Sequence, residues 1–462
     1  MRAPEVDQAW RTGNTAAAIE AADRILAAGA DEDCLAAGVA AAAAAADGSL
    51  LDAATRWRVI ATVLAGAPAV AAHGRAALAA CLGGDVDAAD RDLAGARERL
   101  SGAAPRGLTV FLDGVDAAIE AVRGGFDRAA RRLAGLAVAT VPVDGLAAER
   151  WDDLAVTVLI AGGDDRTARE VLAAQENHPT ARRRLLTAWL HLRAGRLAEA
   201  RAAIASAGDA PVLRRDAVLA AAVTIGLARR AGDAEALRAT WRRVAPVVAG
   251  ADVEVLLLDA WGELSVGAAM VSRFDGETVV EAMTCAIAQA GVPQWALRVN
   301  HWWKLHRAVA AGDVEAATQA AAALQGTERG PAAHAWASVV RGDVDGREVA
   351  AVAAELDDAW EAMALCGAAA AKLSDPAEAR ELLSTGRALR ARFATEEPGD
   401  GLSRRERSVG ELLLDGLTQK EIGARLYISP KTVEQHVARI RQKLAVSSRA
   451  ELIAELRSRL AG

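Results

Sequence analysis

A turn signal that returns along most of the chain is the strongest constraint on its fold. It falls at Gly13-Asn14, Asp47-Gly48, Gly84-Asp85, Gly125, Gly163-Asp164, Gly195, Gly232-Asp233, Asp275-Gly276, Gly312-Asp313, Gly342-Asp343 and Ser374-Asp375. Its spacing, roughly 30 to 44 residues, is the period of helix-hairpin repeats. A Gly can end one helix in the left-handed conformation, and an Asp or Asn can cap the next with its side-chain oxygen. The flanks fit this reading. A small-residue helix such as Thr187-Ala-Trp-Leu-His-Leu-Arg-Ala194 precedes the turn, and an amphipathic one such as Arg196-Leu-Ala-Glu-Ala-Arg-Ala-Ala-Ile204 follows it.

Composition supports an all-α chain. Of its 462 residues, 52% are hydrophobic but only 3% aromatic, so the apolar content is mostly Ala, a strong helix former. Few segments show the β-branched alternation that a sheet needs. The length exceeds a single core, so several folding units or a repeat array are expected. Gly84-Asp-Val-Asp-Ala-Ala89, Gly232-Asp-Ala-Glu-Ala236 and Gly312-Asp-Val-Glu-Ala-Ala317 share a small residue soon after the turn. Over residues 1–392 the chain therefore resembles the tetratricopeptide repeat family, although that family's usual Tyr positions are missing. The expectation is a helical-hairpin solenoid, whose concave surface is a candidate site for a ligand or partner.

Charge is unevenly placed. Residues 401–462 hold 12 Lys+Arg against 7 Asp+Glu, while the rest holds 42 against 54. A basic end on an acidic body fits a nucleic-acid contact at that end only. Cys34, Cys81, Cys285 and Cys366 have no paired spacing and read as reduced thiols of a cytoplasmic protein. Met1-Arg-Ala-Pro-Glu-Val-Asp7 does not read as a secretory signal. The Ala40–Ala46 run is too short to span a bilayer.

No Gly-x-x-x-x-Gly-Lys-Ser/Thr loop, paired metal-ligand spacing or nucleophile motif occurs in the sequence. An enzyme, a metal site and a cofactor are therefore not expected. The densest polar-aromatic stretch is Gln294-Trp-Ala-Leu-Arg-Val-Asn-His-Trp-Trp-Lys-Leu-His306. On a helix Trp295, Val299, Trp302 and His306 share a face, with Trp303 at its edge. With Arg298 they are either an effector site for a small polar ligand such as a sugar, or tryptophans filling gaps in an Ala-rich core.

The C-terminal sixty residues parse into four short helices. Thr395-Glu-Glu-Pro-Gly-Asp400 reads as a linker, within 393–401. Ser403 with Glu406, Thr418 with Glu421 and Ser448 with Glu451 are capping-box pairs, and Ser429-Pro430 starts the third helix. Val433, Val437, Ile440 and Leu444 form that helix's buried stripe. The opposite face shows Lys431, Gln435, Ala438 and Gln442 behind a tight turn, an arrangement suited to reading the major groove.

Leu402-Ser-Arg-Arg-Glu-Arg407, Gly416-Leu-Thr-Gln-Lys-Glu-Ile422, Ile428-Ser-Pro-Lys-Thr-Val-Glu-Gln-His-Val437 and Lys443-Leu-Ala-Val-Ser-Ser-Arg449 resemble the LuxR-type (GerE-type) helix-turn-helix domain throughout residues 402–462. That resemblance implies a four-helix DNA reader. Lys431, Glu434, Gln435 and Ala438 would face base edges, and Lys420, Thr432, His436, Arg439 and Lys443 would lie near phosphates. Many members carry Lys where Glu434 stands, so this reader's base preference is its own. The resemblance also implies a homodimer through the last helix, along Leu452, Leu456 and Leu460.

The combination resembles the C-terminal half of large ATP-binding LuxR regulators, without their ATPase module. The expectation is a bacterial transcriptional regulator whose helical body senses a small-molecule or protein effector. Its partners would be double-stranded promoter DNA and, as a further candidate, RNA polymerase. The alternative is a helical-repeat interaction scaffold with a vestigial DNA-binding domain.

Overall fold

A computed structural model describes residues 6, 8–9, 14–27, 34–100, 105–137, 150–173, 180–206, 214–356, 358–395, 409–410, 412–414, 416–426, 430–444, 446 and 448–460. The chain divides into two compact units, Met1–Leu382 and Leu383–Gly462. All regular structure among the described residues is helical. None of these helices is long and apolar enough to cross a membrane.

The first unit is a run of helix pairs. At several turns the residues act as the sequence predicts. In the pair Gln294–Ala311 and Val314–Ala323, Gly312 takes φ +68° and Asp313 accepts a hydrogen bond from the Ala316 N–H at 3.0 Å. Gly84 with Asp85, Gly163 with Asp164 and Gly232 with Asp233 repeat the device. Gly13 lies outside the described residues, but Asn14 caps Thr15–Ala27 through the Ala17 N–H. The left-handed residue before Phe126–Ala137 is Gly124, one position earlier than the expected Gly125.

One expected turn is a different feature. Asp275-Gly276 lies inside the helix Arg273–Gln289, and the turn is the single residue Ser272, whose hydroxyl accepts from the Asp275 N–H. Gly276 serves packing there: a Cβ would lie 2.8 Å from the Ala269 Cα of the preceding helix. Asp275 instead accepts a hydrogen bond from the Trp241 indole at 2.8 Å.

First helices of successive hairpins pack side by side: Ala181–Arg193, Arg214–Ala231, Leu258–Val271 and Gln294–Ala311. Gly in this layer makes room for a neighbour's side chain: a Cβ on Gly262 would run into the Trp303 ring, and one on Gly226 into Leu192. Where charged side chains fall in this layer, they meet each other. Arg182 reaches Asp216 at 2.9 Å and Glu254 at 2.8 Å, and Arg215 binds Glu254 at 2.7 Å. Arg193 bridges Asp165 and Asp259, while Arg229 and Arg230 converge on Glu263. Arg183 holds Asp152 and Asp153. Glu254 and Glu263 are almost wholly enclosed. Burial pushes the Glu263 carboxyl up, but the two guanidiniums outweigh it and hold it at about 2.

The array also folds back on itself. The Asp252 N–H donates to the Gly48 carbonyl at 2.8 Å, and the Asp252 carboxylate accepts from the Leu51 N–H at 3.0 Å. Further along, the Trp295 indole donates to the Val122 carbonyl at 2.8 Å and meets Phe126 edge to face, 5.2 Å between centroids. One continuous core therefore runs from Ala44 to Ala296.

Glu254→Gln leaves two buried arginines short of counter-charge. It is expected to lower unfolding stability by about 3–5 kcal/mol, read by urea unfolding followed through tryptophan fluorescence. The depressed Glu263 carboxyl contributes stability that is present above its ordinary value of 4.5 and lost as pH falls toward about 2. An acid titration of body stability that stays flat across that window would contradict this assignment.

Candidate nucleic-acid interface

The second unit holds the helices Gln419–Leu426, Pro430–Leu444 and Arg449–Leu460, with further helical residues at 409–410 and 412–414. Val409, Leu413, Ile422, Val433, Val437, Ile440, Leu444, Leu452 and Leu456 form one apolar core. The stripe expected on Pro430–Leu444 is therefore the buried one, and it fixes which face of that helix is left for a partner. Gly416, at φ +82°, ends the preceding helical segment, with the Leu417 N–H donating to the Leu412 carbonyl.

Two helix starts carry the reciprocal bonds that a capping box requires. The Thr418 N–H donates to Glu421 Oε2 at 2.8 Å and the Glu421 N–H returns a bond to Thr418 Oγ1 at 3.4 Å. The bonds from the Thr418 N–H and hydroxyl also hold the Glu421 carboxyl below its usual range. Ser448 and Glu451 repeat the exchange at 3.2 and 3.1 Å. The expected Ser403–Glu406 pair and Ser429 lie outside the described residues.

Lys420, Glu434 and Ala438 are exposed, and His436 is half-buried with its Nδ1 enclosed. Glu434 and Ala438 are one turn apart, on the side of the helix away from Val433 and Ile440. Lys431, Thr432, Gln435, Arg439 and Lys443 lie on the same helix, but their side chains are outside the described residues. Sequence reasoning missed Arg441, a half-buried guanidinium whose Nε has no partner. Its position next to Ile440 gave no sign of that.

The dimer seam expected along Leu452 and Leu456 needs correction. Both are buried in the core of their own module, at 1% and 0% exposure, so neither is available to a second chain. The Leu460 side chain lies outside the described residues. The outward positions of that helix are Arg449, Glu451, Ala454 and Arg457.

The expected effector residues are brought together only in part. Trp295, Trp302, Trp303 and His306 are buried, and each has an internal neighbour. Trp303 donates to Asp259 at 2.8 Å, Trp302 stacks edge to face on His306, and His306 Nε2 lies 3.3 Å from Glu361 Oε1. The Arg329 guanidinium covers Trp302 at 5.0 Å. Arg298 is exposed, apart from them. A narrow cleft beside Trp295, lined by Ile160, Trp189, Leu257, Asp259 and Val299, has a volume of only about 10 Å³, roughly the room of one water.

Residues 400–456 match the family model of bacterial regulatory proteins, luxR family. Spore germination protein GerE of Bacillus subtilis is 47% identical over 55 residues, which cover 12% of this chain and 74% of that protein. The chain belongs to the LuxR family. Its match to transcriptional regulatory protein UhpA of Escherichia coli is 51% identical over 53 residues, 12% of this chain and 27% of UhpA. For transcriptional regulatory protein DegU of Brevibacillus brevis it is 46% over 54 residues, 12% of this chain and 23% of DegU. These likenesses span 53 to 55 residues, 12% of the chain, and the family match places the DNA-binding domain that this LuxR-family chain shares with them at residues 400–456.

Ser448→Ala removes a cap from the last helix of the LuxR-type module and is expected to cost about 1 kcal/mol. Hydrogen exchange of the amides just after residue 448 should quicken, while exchange in the helical body stays unchanged.

Proposed function

We propose that the chain is a cytoplasmic, DNA-binding transcriptional regulator whose helical body, residues 1–392, senses an effector and controls a reader at 402–462 through the linker 393–401. The observation that carries the DNA-binding half is the family's helix-turn-helix core with an outward face on Pro430–Leu444. Lys431, Glu434, Gln435 and Ala438 are assigned to base edges. Lys420, Thr432, His436, Arg439 and Lys443 are assigned to phosphates, where cations give salt-sensitive attraction. Glu434 can accept from the cytosine amino group, and Ala438 offers a methyl contact to thymine.

Two such readers would bind paired half-sites as a homodimer. The face we assign to the dimer on the last helix is the one bearing Ala454 and Arg457, since Leu452 and Leu456 are already occupied. RNA polymerase is the machinery such a regulator acts on. For effector sensing we assign the helix Gln294–Ala311. Trp295, Trp302, Trp303 and His306 form its packed framework and Arg298 is its outward group.

In the full chain, Lys420→Ala should weaken binding to all DNA sequences alike and reduce the salt dependence by about one counter-ion. Glu434→Lys should strengthen nonspecific binding and reduce discrimination for cytosine, a preference of about 1–3 kcal/mol. Fluorescence anisotropy on selected and scrambled duplexes measures both. Unchanged promoter binding and output in a Lys431→Ala/Gln435→Ala double variant would instead favour the interaction-scaffold reading.

A further inference from the structure

The helix Gln294–Ala311 is basic within an acidic body, as Ala181–Arg193 is. It carries Arg298, His301, Lys304 and Arg307 and no Asp or Glu. Positions three apart are neighbours on a helix surface, so these four residues form one slanting stripe. Arg298 and Lys304 are exposed, and His301 and Arg307 are half-buried. Burial and the Lys304 charge both push the His301 imidazole down from its usual value.

Arg307 differs from five other arginines enclosed in the inner layer. Arg182, Arg193, Arg215, Arg229 and Arg230 each have a carboxylate between 2.6 and 2.9 Å away. Among the described residues, Arg307 has no carboxylate within 4.0 Å. Its Nη1 donates to Ser265 Oγ at 2.6 Å. That hydroxyl is itself held by donating to the Gly262 carbonyl at 2.6 Å, so it orients the guanidinium without neutralising it. Burial alone pushes Arg307 down to about 10. On the same helix face, two turns back, the Asn300 Oδ1 is enclosed and unpartnered.

A partly desolvated guanidinium without a counter-ion is costly, and a well-packed apolar side chain would avoid that cost. We propose that Arg307 and Lys304 together bind a small oxyanion, the phosphate or carboxylate group of the effector, with Ser265 fixing the guanidinium. The half-buried setting of Arg307 favours a small anionic group over the backbone of a nucleic acid or an acidic protein surface. This inference rests on the effector-sensing body proposed above, but it concerns binding alone and is tested without DNA.

The test uses the full chain with inorganic phosphate and, separately, citrate, each matched in ionic strength with sodium chloride. Tryptophan fluorescence reports the body, since all 11 Trp lie before residue 361. At least one probe should give a saturable fluorescence change and a rise in Tm. Which probe does so distinguishes a phosphate from a carboxylate ligand. Lys304→Gln, an exposed change, should weaken that binding at least tenfold, and Arg307→Met should abolish it. Without anion, Arg307→Met should melt at or above the wild-type temperature, because it removes an uncompensated charge. The proposal is overturned if neither probe saturates or if both variants bind as the wild type does. It is equally overturned if Arg307→Met melts well below the wild type, which would make the guanidinium structural. Loss of anion binding with operator binding intact would leave the DNA-reading proposal standing, and the reverse result would leave this one.

Discussion

The helical body depends on carboxylates and guanidiniums that meet between its inner helices. The inner layer packs Ala against large apolar side chains such as Leu186, Trp189 and Trp261, but apolar contacts alone do not single out one alignment. Paired charges supply that register. Glu263 is fully enclosed and bound by two arginines from the neighbouring hairpin, so a slip of one turn would strand three charges. Such pairs add little net stability over apolar packing but penalise every wrong alignment heavily. Asp259 does the same between Arg193 and the Trp303 indole, tying three hairpins through one carboxylate.

The same layer gives the array its individuality. Trp295 of Gln294–Ala311 sits where an N-terminal hairpin meets the middle of the chain. Trp295 bonds to Val122 from one side of the helix, and Trp303 bonds to Asp259 from another. A helix held on several sides in this way is well placed to pass a local change to its neighbours. The stripe of unneutralised cations lies on this helix, so a counter-ion arriving there would act on an element already tied to distant hairpins.

How much was legible in the sequence depended on how local the cause was. Turns such as Gly312-Asp313 and the capping pairs Thr418–Glu421 and Ser448–Glu451 are set within four residues, so the chain alone specifies them. The terminal module's family was legible for the same reason, being written in contiguous motifs. Asp275-Gly276 misled because Gly serves two purposes: it ends helices, and it also lets helices touch, as it does against Ala269. Leu452 and Leu456 misled because an apolar stripe does not say whether its partner lies in the same chain. The ion pairs of Arg182 and Arg230 were invisible because their partners lie about a hairpin or more away, and no short-range pattern links them.

Asp252 supplies the carboxylate at the start of the helix Leu50–Val63 from 201 residues further along the chain. Repeat arrays usually build their stability by nearest-neighbour increments, each hairpin completing itself on the one before. Here an early hairpin stays incomplete until a late one arrives. The body therefore behaves less like a stack that can be shortened hairpin by hairpin and more like a clasp, whose closure makes a linear array one cooperative unit.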